Sequence, residues 1–571
     1  MAQLTPMAKG LITVIILGVA GSLAWNLGLK ERFAGGGDAA ALSTPATATA
    51  EAAARAQPPT PTRAQPTAAT AKADAKNAAL GTPGNPLKVS LVSFHGYAPA
   101  LVANGNSLDT QPGSIYSKIG LNVRFVIQDD IPTLATIFES GAAQCAWRTS
   151  DFWAQEQPNL RNAGLDGKAV MIVDNTQGGD AVIASDPAVK AIEDLAGRSV
   201  ALLQFTPSHG ILIDALDNAS LTARKKESVK IVFINAEEGT AGVRAALESG
   251  HVDAAVLWDP DLALALRNVK GAHVVYSTKT ATNLIFDVMV CDSRLLAKPE
   301  GQAVVQKFVE GWMEGVPAAR ANPDNAVDAL VNTEEFFKLL ADKEGRPFVK
   351  NLFPNVVWTG VEENARILGL AGGTNHYERV YKRFDEIYRK AGALANPKSP
   401  VIAPQDSFDY RFIKAILARD QPAATAAAQP QTSFTQASLK EATQQQAMVT
   451  KPVTVGFASG STDLSKRAHK TIDAEMVPFI ENNGKAYFEV SGNSDSTGAR
   501  EVNQRLSEVR ARAVVDYLVT QWEFPRERFK IVGNGPDRPL CNEANAAAEG
   551  LSLEDCRALN RSTRVAVFGG R

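Results

Sequence analysis

Hydrophobic positions along the chain fall into three regimes. Near the start, Leu11–Leu29 runs for 19 residues without a charged side chain. At 1.5 Å rise per residue that is enough to cross a hydrocarbon core of about 30 Å. Residues 1–33 are therefore expected to form a single transmembrane helix acting as an anchor, with a signal segment cleaved near Ser22-Leu23-Ala24 as the alternative. In the middle, short β-branched runs (KVSLVSF, LNVRFVI, AQCAWRT, AVMIVDN, SVALLQF, KIVFINA, VDAAVLWD, IFDVMVCD) alternate with helix-period stretches. That alternation predicts an α/β domain with mostly parallel sheets over 86–419. The block at about 178–280 reads as a second lobe inserted into the first, because IFDVMVCD resumes a buried strand after it. The last regime, 451–571, is an α/β sandwich of strands around a long helix, EVNQRLSEVRARAVVDYLVTQW, whose Leu506, Ala513, Val514 and Tyr517 recur at helical spacing.

Between these regimes the pattern disappears. From Asp38 to Leu80, 30 of 43 residues are Ala, Thr or Pro and none is aromatic, so 34–85 cannot bury enough apolar surface to offset chain ordering and is expected to be a disordered tether. A second low-complexity stretch, 420–450, separates the central and C-terminal regions. Charge narrows the function: 59 basic against 61 acidic side chains leave a net −2, without the basic excess of a nucleic-acid binder. Four cysteines and six histidines, with no spaced histidine pair, argue against a metal centre. No P-loop, nucleophile elbow or HExxH motif appears, so no enzyme activity and no cofactor are expected.

The central region resembles the type II periplasmic solute-binding proteins of ABC transporters, in particular the nitrate, sulfonate, taurine and thiamine-precursor group. The landmarks are Ser93-Phe94-His95-Gly96-Tyr97 after the opening strand, LATIFESGAAQCAWRTSD, IEDLAGRSVAL and ALESGHVDAAVLWDPDLALAL. The resemblance implies two lobes closing over a small polar solute, with an ABC permease as acceptor. Ligands of open α/β sheets collect beyond the carboxyl ends of strands. Candidate ligand-binding residues are therefore Ser93, His95 and Tyr97 after the first strand, Thr149 and Asp151 after the third, Thr206, Ser208 and His209 ahead of a helix, Glu237 after KIVFINA, and Trp258 with Asp259 after VDAAVL. The helix start favours an anion, whereas the acids favour a cationic or amphoteric ligand. Ser and Thr at such positions also serve as ordinary N-caps, and Trp258 as ordinary core. Cys145 and Cys291 fall in neighbouring strands of the resembled fold, where either two buried thiols, the default for apolar-flanked cysteines, or a bridge fits.

The C-terminal region resembles the OmpA-like peptidoglycan-binding domain. Gly492, Ser494-Asp495, Gly498, Asn503 and Leu506-Ser507-Glu508-Val509-Arg510-Ala511 keep the spacing of its motif, and Asn560-Arg561-Ser562-Thr563-Arg564-Val565 stands for its terminal signature. The resemblance implies that Asp495 and Arg510, with Asn503, Gly498 and Leu506, read a diaminopimelate-type stem peptide: a carboxylate accepts from its ammonium and a guanidinium forks onto its carboxylate. It also implies a disulfide between Cys541 and Cys556, worth about 3 kcal/mol in the chain-entropy picture. The whole chain is then expected in the periplasm, anchored in the inner membrane by its N-terminal helix, holding the wall at one end and a solute in the middle. A purely structural membrane-to-wall tether is the alternative, and a transferase related by fold to porphobilinogen deaminase, which needs a cofactor-bearing cysteine such as Cys145, is the third.

Overall fold

The computed structural model describes residues 78–130, 133–134, 136–420, 433–455, 457 and 461–569. The candidate anchor Leu11–Leu29 and the tether up to residue 77 lie outside them; among the described residues no helix is long and apolar enough to cross a membrane.

The central region begins with β1 (Leu87–Leu91), β2 (Val123–Ile127) and β3 (Cys145–Thr149), followed by helix α1 (Ser150–Asn162) and β4 (Gly167–Thr176). The chain then crosses into a second lobe through β5 (Asp180–Ala184), β6 (Ser199–Leu203), helix α2 (Pro207–Asn218), β7 (Lys230–Ile234), β8 (Ala254–Trp258) and β9 (His273–Ser277). It returns as β10 (Phe286–Asp292), helix α3 (Pro299–Ala321), β11 (Val356–Trp358) and helix α4 (His376–Lys390). The first sheet has the order β11-β4-β10-β3-β1-β2 and the second β7-β6-β8-β5-β9.

Both sheets are mixed, which corrects the expectation of mostly parallel ones. β10 is antiparallel to β3 and β4, and β5 is antiparallel to β8 and β9. The cause is the double crossover. A lobe's own strands run toward the other lobe, whereas a strand arriving from that lobe starts at the junction and runs away from it.

Burial follows the strand runs. Apart from Lys168 and Trp258, which are half-buried, every residue of β4, β8 and β10 is buried, as expected of strands covered on both faces. Helix α3 closes one face of the first sheet with Phe308, Trp312 and Val316 in the core. Its Gly315 lets it approach the backbone at Pro99, since a Cβ there would lie 2.3 Å from the Pro99 carbonyl. Helix α4 spans the junction. Its Tyr381 hydroxyl donates to Gln157 of α1 at 2.7 Å, while its Tyr388 hydroxyl donates to the Thr206 carbonyl at 2.9 Å and Arg383 pairs with Asp214 of α2 at 2.9 Å.

Within the second low-complexity stretch, Gln436–Ala442 forms a helix, α5, because Leu439 and Ala442 have an apolar surface to bury against at Tyr487 and Phe568. The C-terminal domain continues with β12 (Val449–Val453), helix α6 (Val477–Asn482), β13 (Ala486–Asn493), helix α7 (Arg500–Trp522), β14 (Phe529–Gly535) and β15 (Thr563–Gly569) in the sheet order β12-β15-β13-β14. The buried stripe of α7 is Ser507, Ala511, Val514, Val515 and Leu518, so Val514 lies on the expected face while Leu506, Ala513 and Tyr517 are only half-buried. The sheet presses on the helix backbone: a Cβ at Gly492 would lie 2.0 Å from the Ser507 carbonyl and one at Gly533 2.7 Å from that of Gln504. That approach draws Ser507 inward.

The C-terminal domain docks on the central one at two places. On the second lobe, the Thr450 amide donates to Glu193 at 2.8 Å, the Ser220 hydroxyl to the Thr450 carbonyl at 2.5 Å and Lys451 to Asn218 at 2.7 Å. At the junction, Glu481 pairs with Arg379 of α4 and its carbonyl accepts from the Asn283 side chain at 2.8 Å.

Candidate functional site

Two pockets carry chemistry. The first lies between the lobes, where the carboxyl ends of β3, β4 and β8 meet the amino ends of β5 and β10. Its cavity is about 30 Å³, room for one or two waters. Phe94, Tyr97, Trp147, Phe152 and Trp258 give it aromatic walls, Thr149, Thr176 and Thr206 give hydroxyls, and Asp180 and Asp287 give the charge; neither lysine nor arginine lines it.

The acids are held out of water by the strands that carry them. Asp287 accepts from the Tyr97 hydroxyl at 2.5 Å and sits directly opposite Asp174 on β4, an arrangement of like charges that costs energy when both are ionised. Burial pushes the Asp287 carboxyl up to about 7, against the pull of the Tyr97 hydrogen bond. Burial first, then the neighbouring Asp287, raise Asp174 well above the carboxylate range, and burial does the same to Asp180. Asp180 Oδ2 and both oxygens of Asp174 have no hydrogen-bond partner among the described residues. Cys145 and Cys291 are joined by a disulfide across β3 and β10, so the default of two free thiols does not hold. The bridge pins the two strands that present Trp147, Thr149 and Asp287 to the cavity.

Of the central residues singled out from the sequence, Tyr97, Thr149, Thr206 and Trp258 line this cavity together. The others lie elsewhere. Ser93 donates from both its amide and its hydroxyl to Asp129, and Glu237 is exposed. His95 is buried beside Phe94 and Phe353, and burial lowers it to about 3. His209 accepts from the Phe205 amide at 3.3 Å, and burial lowers it to about 4. Asp151 and Ser208 are buried within α1 and α2. Asp259 accepts from Asn355 at 2.6 Å and lines a separate groove of about 600 Å³ shared with the C-terminal domain.

Sequence reasoning missed the acids Asp180 and Asp287, and with them Phe94, Trp147, Phe152 and Thr176. The signal was an acid inside or at the head of an apolar run, in DAVIA and FDVMVCD, where a charge is rarely buried without a purpose. Looking only beyond carboxyl ends overlooked the two crossing strands, whose amino ends face the cavity.

The second pocket, of about 200 Å³, lies in the C-terminal domain between β13, α7 and the start of β15. Arg510 and Arg561 both line it, with Phe457, Asn493, Ser507 and Thr563. The Arg510 guanidinium rests over the Phe457 ring at 5.0 Å, and its Nε donates to the Ser461 carbonyl at 3.3 Å. Asp495 does not line it but is tied to it: its Oδ2 pairs with Arg561 at 2.7 Å and its Oδ1 accepts from the Thr497 amide at 2.9 Å. Gly498, at φ +95, turns this loop and the Asn503 side chain holds it by donating to the Thr497 carbonyl at 2.8 Å; Leu506 is half-buried on α7.

The loop is also fixed from outside. Cys541 and Cys556 form a disulfide that closes a segment carrying Glu543, whose carboxylate accepts from the Ser496 amide at 3.0 Å and the Ser496 hydroxyl at 2.6 Å. Burial would raise Glu543, but the hydrogen bonds from Ser496, Asn560 and Arg557 hold it down at about 2. Among the described residues no cluster of His, Cys, Asp and Glu could hold a metal ion.

Comparison with known proteins gives each region a relative. Residues 115–326 match the family described as NMT1/THI5 like, and residues 456–550 match the OmpA family. Outer membrane porin F of Pseudomonas aeruginosa is 42% identical over 92 residues, 16% of this chain and 24% of the porin. The peptidoglycan-associated lipoprotein of Pseudomonas putida is 33% identical over 100 residues, 17% of this chain and 58% of the lipoprotein. A putative aliphatic sulfonates-binding protein of Escherichia coli strain K12 is 33% identical over 152 residues, 27% of this chain and 44% of its own length. The chain thus spans less than two thirds of each of these relatives. Among solved structures, the periplasmic aliphatic sulphonate binding protein SsuA from Escherichia coli aligns with 57% of this chain and 97% of its own at 15% identity and a TM-score of 0.43. Residues 115–326 are thus similar to the NMT1/THI5-like family and residues 456–550 to the OmpA family.

Proposed function

We propose that this protein works in the periplasm, tethered to the inner membrane by Leu11–Leu29, and that it binds a small solute between its lobes while its C-terminal domain holds peptidoglycan. The names of the relatives support the two binding roles: one is a peptidoglycan-associated lipoprotein and one a sulfonates-binding protein. The observation that carries the wall-binding part is the pocket lined by both Arg510 and Arg561, the second of which pairs with Asp495. A stem peptide ending in an amino-carboxylate centre matches that set. Its carboxylate forks onto Arg510, and its ammonium meets Asp495, which Arg561, Thr497 and the Glu543-anchored loop hold in place. Solute capture or sensing, with delivery to an ABC permease, is the role assigned to the lobes.

Sedimentation of the purified protein with sacculi tests the wall role. The parent chain is expected in the pellet, and Arg510→Ala in the supernatant with an unchanged melting temperature; co-sedimentation of that variant at parental levels defeats the assignment. A membrane-to-wall tether whose lobes bind nothing is the competing reading, and the small volume of the cavity favours it. Calorimetric titration with solutes of either charge separates the two.

A further inference from the structure

The cleft's charge defines its ligand. Its lining holds two carboxylates, Asp180 and Asp287, with no lysine or arginine. A third, Asp174, lies opposite Asp287 on the neighbouring strand. Gly96 makes the room for it, since a Cβ at that position would sit 2.0 Å from Asp174 Oδ2. Asp180 is 5% exposed and lines the cavity with Oδ2 lacking a hydrogen-bond partner. Burying a carboxylate without a partner costs several kcal/mol as an order of magnitude, and gathering three of them multiplies the cost. What the arrangement lacks is positive charge.

The walls favour the same answer. Tyr97, Trp147 and Trp258 bring aromatic rings to the carboxylates, and Trp258 is the cross-strand partner of Asp180. Ring faces attract cations, quaternary ammonium groups above all. An anion would find little here: the helix that starts at the cleft has Pro207 in its first turn, which offers no N–H. Resting on the reading of the cleft as a solute site, we propose that it takes a compact organic ammonium ion, seated between Asp180 and Asp287 and faced by Trp147, Tyr97 and Trp258.

Protons stand in for the cation when the cleft is empty. The titratable groups facing Asp287 are Tyr97, Asp174, Asp180 and Asp151, and those facing Asp180 are Asp287, Asp174, Asp151 and Asp259. The carboxyls raise one another, and only neutral hydroxyls, Tyr97 on Asp287 and Thr176 on Asp180, act against them. A bound ammonium stabilises the ionised carboxylates and must expel protons on entry.

The test is calorimetry on the full chain in non-ionic detergent, with methylammonium and tetramethylammonium set against ethanesulfonate and nitrate. Binding of a cation probe is expected, weakened about tenfold or more in Asp180→Asn and Asp287→Asn. In the unaltered chain, titration in two buffers of different ionisation enthalpy is expected to show proton release near pH 7, a readout that needs no variant to fold. Binding of ethanesulfonate or nitrate with neither cation bound overturns the proposal and leaves the solute site standing. Cation binding without proton release, or undiminished in both folded Asn variants, overturns it as well. Failure of all four probes to bind overturns both the proposal and the solute-binding reading.

Discussion

The two pockets solve opposite problems with the same few side chains. In the cleft, carboxylates sit in an apolar aromatic shell with no basic residue in reach, and Asp287 holds its proton to about pH 7. In the C-terminal domain, Asp495 is paired at 2.7 Å with Arg561, which lines a larger cavity together with a second guanidinium, that of Arg510. One site has its opposite charge built in; the other leaves that charge to be brought by the ligand. The difference teaches that an aspartate's meaning lies in what surrounds it, and neither pocket could be read from its acids alone.

The comparison breaks most sharply at Arg510. Arg510→Ala should cost roughly a hundredfold in affinity for sacculi, because losing one partner of a desolvated charge-assisted pair removes a few kcal/mol. A loss below threefold by quantitative sedimentation would show the guanidinium to be only packing on Phe457.

The acids of the cleft give the next effect, through pH. Asp287 keeps its proton up to about pH 7 when folded, whereas its ordinary value is 3.8. Asp259 behaves alike, raised to about 7 by burial against the Asn355 hydrogen bond. Folding therefore takes up protons between those values, and stability present below pH 4 is lost as pH rises toward 7. Because buried His95 and His209, lowered to about 3 and about 4, act in the opposite sense up to about pH 6.5, the empty chain should melt lower at pH 7.5 than at pH 5 by about 5 °C or less. Asp287→Asn should flatten that slope and raise the melting point at pH 7.5. A variant that melts lower there would show the carboxylate to be paired after all.

Removing the Cys541–Cys556 bridge, as Cys541→Ser with Cys556→Ser, should cost about 3 kcal/mol within the C-terminal domain. It should also weaken sacculus binding, by about tenfold or less, by loosening Glu543 from Ser496. Binding unchanged despite the lost stability would uncouple the loop from the pocket. The smallest effect is expected at the domain junction. Glu481→Gln, which cuts the partly buried link to Arg379, should lower the melting point by about 1 or 2 °C and leave both pockets' affinities alone.

Much of the architecture was legible because burial writes itself into runs of apolar residues. Eight of the strands, the inserted lobe and the long helix of the C-terminal domain announce themselves that way. β11 did not, since its three residues carry too little pattern; β5 and β9, no shorter than strands that were read, open on the polar Asp180 and His273. The rotated stripe on α7 escaped for a different reason: Gly492 and Gly533 set the closest approach, and close approach is a three-dimensional property. In the cleft, Tyr97, Thr149, Thr206 and Trp258 follow from strand ends. Asp180 and Asp287 required knowing which strands run backwards. His95, His209, Ser93 and Glu237 resembled ligand contacts in sequence, but ring burial or a local hydrogen bond takes up the first three and Glu237 points to solvent.

The strap from Thr450 and Lys451 onto Glu193, Ser220 and Asn218, together with the Glu481–Arg379 link, has a mechanical corollary. A tug exerted on the wall-facing end does not travel only along the chain through residues 421–432; it is shared as shear across one lobe and the helix that bridges both. Strain at that end therefore reaches the second lobe and the lobe junction directly.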